Sequence, residues 1–224
     1  ERPMLMGILN ITPDSFYQGH LQDSEEDIVK KAAQMIAEGA DILDIGGQSS
    51  RSGSVRISVE EELLRVIPVI RALHKLFPGT LLSIDTYQSE VARAAVSEGV
   101  NIVNDISAGE MDTKMLEVVG TLGVPYICMH MKGRPETMQE SPMYEDVTRE
   151  VLDYFITRIN DCRNAGIKDI IIDPGFGFGK NIAHNFRLLK DLASFKMLGC
   201  PILVGLSRKS TVYKTLHITA AEAL

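Results

Sequence analysis

Several things are scarce in this chain, and each scarcity closes off a class of protein. The three cysteines, Cys128, Cys162 and Cys200, are scattered without paired spacing, which excludes a disulfide-stapled scaffold. No apolar run approaches the roughly 20 residues that cross a bilayer, so no membrane partner is expected. His and Cys nowhere cluster with zinc-site spacing. The glycines of Gly175-Phe-Gly177-Phe-Gly179 miss the G-x-G-x-x-G spacing of a dinucleotide fingerprint, and Arg208-Lys209-Ser210 lacks the upstream glycines of a P-loop. Positive charge is also in short supply. A net charge of −7 argues against nucleic acid, whose phosphates need a basic surface. A small anionic ligand remains open, because local positive charge can sit inside an acidic protein. No signal-peptide pattern opens the chain, and the expected setting is a reduced cytoplasm. The start at Glu1 points to trimming, or to a piece cut from something larger.

What remains is an ordinary globular composition, with 45% hydrophobic and 24% charged residues in 224, enough to bury a core and too apolar for disorder. Short runs rich in Ile, Val and Leu predict strands at 5–11, 41–45, 81–84, 101–104, 125–129, 169–173 and 201–205. Helical periodicity fills the intervals. Ile28, Ala32, Met35 and Ile36 share a stripe over 24–38, with Ser24 and Asp27 as an imperfect capping pair. Ser58 with Glu61 opens a second helix, and 144–165 carries Val147, Val151, Phe155 and Ile159 at intervals of four. Apolar strands separated by helices imply a parallel sheet with right-handed crossovers. The expectation is an α/β fold, a (β/α)8 TIM-type barrel whose eighth strand is absent from this chain. No linker or composition shift divides residues 1–224, so one barrel domain, incomplete at the C-terminus, is expected.

Nearly every predicted strand ends in polar residues or glycine: Asn10, Asp44 with Gly46 and Gly47, Asp85, Asn104 with Asp105, His130, Asp173 with Gly175, and Ser207 to Ser210. In parallel α/β folds function gathers at the carboxyl ends of strands, so these endings predict a polar pocket at one mouth. Individually they read more plainly. Asp44, followed at once by two glycines, supports a turn; Asp105 is a loop or supporting group; His130, between two methionines, reads as structural. The Asn10-Ile11-Thr12 sequon is a chance match.

With these residues placed, the chain resembles the dihydropteroate synthase family of folate-pathway transferases. The resemblance runs in order through nearly the whole chain. Its motifs are GILNITPDSF from Gly7, DIGGQSSR from Asp44, SIDT from Ser83, NDIS from Asn104, MHMKG from Met129, DPGFGFGK from Asp173 and GLSRKS from Gly205. The first and the last two are specific in combination. The family condenses a 6-hydroxymethyl-dihydropterin diphosphate with 4-aminobenzoate and releases diphosphate, so these two small molecules are the implied partners. The resemblance implies that Asp173 accepts side by side from the pterin ring nitrogen and 2-amino group, each charge-assisted bond being worth roughly 1.5–3 kcal/mol. It implies that Asn104 and Asp85 contact the same heterocycle, with Asp85 catalytic through stabilising the cation left by diphosphate. Lys209, also catalytic, would donate to the pterin, and Phe178 would wall the amine pocket. Ser50, Arg51 and Ser210 would bind substrate, the first two through phosphate oxygens. Asn10 would ligate a Mg²⁺ cofactor. A cytoplasmic homodimer is also implied.

The chain departs from the family pattern in three places. Ser52 stands where proline is usual, freeing the backbone of a loop expected, with 14–20, to close over the second substrate. Gln48 replaces a frequent acidic residue. The eighth strand, with its diphosphate-binding Arg-x-His-Asp stretch, is missing from this sequence. Two alternatives stay open: a pterin-binding methyltransferase domain, which has no diphosphate to hold, and a catalytically silent pterin-binding module.

Overall fold

A computed structural model describes residues 2–11, 21–48, 56–133 and 142–223, apart from the side chains of 21–24. Strand and helix alternate as the periodicity predicts: β1 (Met6–Asn10), α1 (Leu21–Ala37), β2 (Ile42–Gly46), α2 (Val59–Leu76), β3 (Leu81–Asp85), α3 (Ser89–Ser97), β4 (Ile102–Asp105), α4 (Met115–Leu122), β5 (Tyr126–Met129), α5 (Val147–Asn164), β6 (Ile170–Asp173), α6 (Ile182–Lys190), a 3₁₀ helix (Leu192–Leu198) and α7 (Ser210–Leu216). The six strands are parallel and lie in sequence order, β1 to β6. This is the strand order of a (β/α) barrel, left open between β1 and the chain after β6.

The period of two along each strand sorts residues onto two faces. Leu9, Leu43, Ile45, Leu82, Ile84, Val103, Cys128 and Ile172 point outward into one large apolar cluster shared with the helices. Full burial of each such side chain is worth about 1.5–3 kcal/mol, so this layer holds the helices on the sheet. The alternate residues point inward. Ile42, Ile102 and Ile127, joined by Met6, Ile171 and Leu203, form a small separate cluster at the amino-terminal floor of the barrel. Above that floor the inward residues turn polar. Register fixes their heights: Asp44 lies opposite Ser83, Gly46 opposite Asp85, and Asp85 opposite Asn104.

Three expectations need correction. The segment 201–205 is not a strand; it makes one parallel bridge, Ile172 to Ile202, through Ile172 N–H to Pro201 O and Leu203 N–H to Ile172 O. Pro201 brings no N–H to the ladder, and pairing with β6 stops after the bridge at Ile202. The first helix begins at Leu21, a turn before Ser24, so Ser24 is inside the helix rather than its cap. The long helix starts at Val147, not 144, because Asp146 caps it by accepting from Thr148 and Arg149 N–H. Ser58 caps α2 as expected, accepting from Glu61 N–H at 3.2 Å. At the open edge Leu5, just before β1, and Ile8 within it are exposed, and β1 pairs only with β2 among the described residues.

Candidate active site

Because inward positions alternate, the carboxyl ends of β1 to β6 bring Asn10, Asp44, Asp85, Asn104 and Asp173 to one end of the barrel. Asp105 is sorted away from them. Adjacent to Asn104, it points outward, where its carboxylate accepts from Ser107 N–H (2.7 Å) and Oγ (2.8 Å), Gly109 N–H (2.8 Å) and Tyr126 O–H (2.8 Å). Four donors on one carboxylate fold the turn after β4 and leave nothing for a ligand. The supporting role expected for Asp105 fits this geometry.

The inward carboxylates are poorly satisfied. Asn104 Nδ2 donates to Asp44 Oδ2 at 2.9 Å, but Asp44 Oδ1, Ser83 Oγ and Glu62 Oε1 are buried without a hydrogen-bond partner. Burial pushes the Asp44 carboxyl above the usual range, opposed by the polar groups of Ser83 and Asn104. Asp85 is pushed up furthest, first by desolvation and then by the negative charges of Asp44, Glu62 and Asp105. Gly46 sits beside it, and a Cβ there would lie 3.4 Å from Asn10 Oδ1 and 3.5 Å from Asp85 Oδ2. Both distances are ordinary contacts, so Asn10 Oδ1 and Asp85 Oδ2 approach the same spot without a side chain at 46 being excluded. No group of three or more His, Cys, Asp or Glu side chains able to hold a metal occurs among the described residues.

Beyond β6 the chain supplies cations. Asp173 is buried and accepts from Gly175 N–H at 2.8 Å; burial raises its carboxyl, countered by Lys209, Gly175 N–H and Lys180. Lys209 Nζ lies 4.9 Å from the centre of the Phe178 ring and donates to Phe176 O. Burial lowers its pKa, and Asp173 opposes that. Ser210 is the exposed first residue of α7. Asp85, Asn104, Asp173, Phe178 and Lys209 thus lie at the end of the barrel that the strand endings predicted. Asn10 stands exposed at the rim. Ser50, Arg51, Ser52 and the loop 14–20 lie outside the described residues. At the foot of the second loop Gln48 is fully engaged. Its Nε2 donates to Tyr87 Oη at 2.8 Å, and its Oε1 accepts from Ile57 N–H at 3.4 Å. A carboxylate at 48 would lose the first of these bonds.

Sequence reasoning gave no role to Lys180, which is 2% exposed. Its Nζ reaches His130 Nδ1 (2.9 Å), Gly175 O (3.0 Å), Phe178 O (3.0 Å) and His130 O (3.3 Å). Burial is the leading cause that lowers Lys180 to about 7 and His130 to about 2. The signal was present as the lysine closing a glycine run after Asp173, but its target, the end of β5, is remote in sequence. Gly175 and Gly179 permit the arrangement: both have positive φ, and a Cβ would fall 2.0 Å from His130 O or 2.2 Å from Lys132 O.

The family model described as "Pterin binding enzyme" matches residues 6–223. The dihydropteroate synthase of Escherichia coli (strain K12) is 47% identical over 226 residues, spanning 100% of this chain and 79% of that protein. The structure of Xanthomonas albilineans dihydropteroate synthase with 4-aminobenzoic acid superposes with a TM-score of 0.90 at 42% identity, covering 100% of this chain and 80% of the other. The same enzyme in complex with 7,8-dihydropteroate gives a TM-score of 0.86 at 41% identity, with coverage of 100% and 80%.

Proposed function

The chain belongs to the pterin binding enzyme family, and from that premise we infer that it is a dihydropteroate synthase. It is a transferase of folate biosynthesis, joining 6-hydroxymethyl-7,8-dihydropterin diphosphate to 4-aminobenzoate with loss of diphosphate. The observation that carries this reading is the set of inward side chains at the strand ends: Asp44, Ser83, Asp85 and Asn104 in register, with Asp173 and Lys209 alongside.

A pterin offers adjacent N–H donors and acceptors. A buried Asp173 carboxylate kept near Lys209 suits the donor pair, and Asn104, already turned by Asp44, offers its amide oxygen. Diphosphate departure leaves positive charge on the methylene conjugated to the ring. Asp85, beside the negative charges of Asp44, Glu62 and Asp105, would stabilise that charge, and the incoming cation would in turn relieve the like-charge repulsion around it. The aniline nitrogen then attacks the methylene carbon, and its proton is released. Phe178 packs beside Lys209 as a wall for the aromatic amine. Ser50, Arg51 and Ser210 are taken as phosphate ligands. Asn10 would hold Mg²⁺, which when bound neutralises charge on the diphosphate; its exposed amide oxygen at the rim, a hard donor, supports that fit. We take residues 1–224 as one pterin-binding barrel domain, acting in the cytoplasm as a homodimer. No helix among the described residues is long and apolar enough to cross a membrane.

The test is diphosphate release from the pterin diphosphate, with Mg²⁺, in the presence and absence of 4-aminobenzoate. Dihydropteroate is expected with the amine, and slow diphosphate release without it. Binding of pterin with no turnover would overturn the assignment, and strict dependence of release on the amine would overturn the dissociative order.

A further inference from the structure

We propose that Lys180 is a positioning residue for the second-substrate pocket, and this deepens the synthase reading on which it rests. Its amino group gathers three main-chain carbonyls and one ring nitrogen from two separate segments. Gly175 O and Phe178 O belong to the loop after β6, while His130 O and Nδ1 belong to the end of β5. No other side chain described in this loop joins those two segments in the same way. Asn185 accepts from Gly177 N–H at 2.8 Å and donates to Lys180 O at 3.4 Å, and Tyr144 O–H donates to Gly179 O at 3.0 Å, but none of these bonds ties the loop to β5.

What the loop presents explains why this clamp bears on function. Phe176 O accepts from Lys209, the Phe178 ring lies under the Lys209 amine, and Gly175 N–H holds Asp173. The two functional side chains Asp173 and Lys209 are therefore referenced to one short loop, and Lys180 ties that loop to the barrel wall. The loop passes so close to the wall that a Cβ at Gly175 or Gly179 would overlap the carbonyls of His130 or Lys132. A glycine loop has little stiffness of its own, so its shape must come from such anchors. His130 completes the arrangement, packed edge-on against Tyr154 at 4.9 Å between ring centres.

Loss of the amino group frees the carbonyl and ring of Phe178 first. The pterin contacts of Asp85, Asn104 and Asp173 are carried on β3, β4 and β6 and stay in place, while Phe178, at the middle of the loop, loses its reference. The expected result for Lys180→Met is a KM for 4-aminobenzoate raised about tenfold or more, the equivalent of one charge-assisted hydrogen bond, with the KM for pterin diphosphate changed by less than about threefold. In Lys180→Ala, which leaves a space lined by the same acceptors, added ethylamine or propylamine should restore the KM for 4-aminobenzoate, whereas 1-propanol of similar size should not. If Lys180→Ala does not fold, the KM split in Lys180→Met decides the matter. Unchanged KM values in a folded variant, an equal rise for both substrates, or rescue by the alcohol as well as the amine would overturn the proposal. Absence of turnover by the parent protein would instead remove the synthase reading, so the two failures are distinguishable.

Discussion

Asp105, buried, and Asp85, half-buried, end adjacent strands, yet they face opposite sides of the sheet and live in opposite circumstances. On the outward side, Asp105 accepts four hydrogen bonds from a turn and a tyrosine, and its charge is absorbed by the fold. On the inward side, desolvation first and then the negative charges of Asp44, Glu62 and Asp105 raise the Asp85 carboxyl well above the ordinary range. The outer face uses its polar groups for stability. The inner face leaves Asp44 Oδ1 and Ser83 Oγ without hydrogen-bond partners and carries repulsion the protein does not need for folding. Polar groups held in that state cost stability and gain it back only when something complementary binds.

That contrast can be broken most sharply at Asp85. Asp85→Asn keeps shape and removes charge, so it should lower kcat by about 10²–10³, the scale of losing one electrostatic stabiliser of a transition state. Its denaturation midpoint should stay level or rise, since a repelled charge has gone; steady-state kinetics beside urea unfolding check both halves. The mirror experiment is Asp105→Ala, which strands the donors of Ser107, Gly109 and Tyr126 and should cost about 3 kcal/mol of stability. Pterin affinity in the folded fraction should be preserved, and calorimetry at a temperature well below the melt measures it. A large affinity loss there would blur the division between the two faces.

The smallest expected effect is in pH dependence. Because the folded-state pKa of Asp85 lies above its unfolded value, the folded protein holds that proton more tightly. Stability from this source is present at low pH and is lost as pH rises from about 3.8 through the raised native value. Subtracting the unfolding curve of Asp85→Asn from that of the parent should give a difference that vanishes in acid and grows, in favour of the variant, as pH rises through that window. A difference with no pH dependence would mean that the carboxyl is not repelled in the native state.

Much of this was readable beforehand. Alternating strands and helices, the polar strand endings and the Ser58 cap all follow from local pattern, because period and capping are properties of a few neighbouring residues. Reading the period of two more strictly would also have separated Asn104 from Asp105. Elsewhere the pattern misled. Residues 201–205 look like the other strands, but Pro201 brings no N–H and pairing with β6 ends after one bridge at Ile202.

The order of the elements, the mouth at which function collects and the family's motifs were written in the residues themselves. Tertiary structure alone decided which carboxylates would be satisfied and which left repelled. It also decided that Lys180, in a run of glycines, would find His130 across the loop. Charge and hydrogen-bond balance depend on distances of a few ångströms between segments far apart in the chain, and only the folded backbone sets those distances.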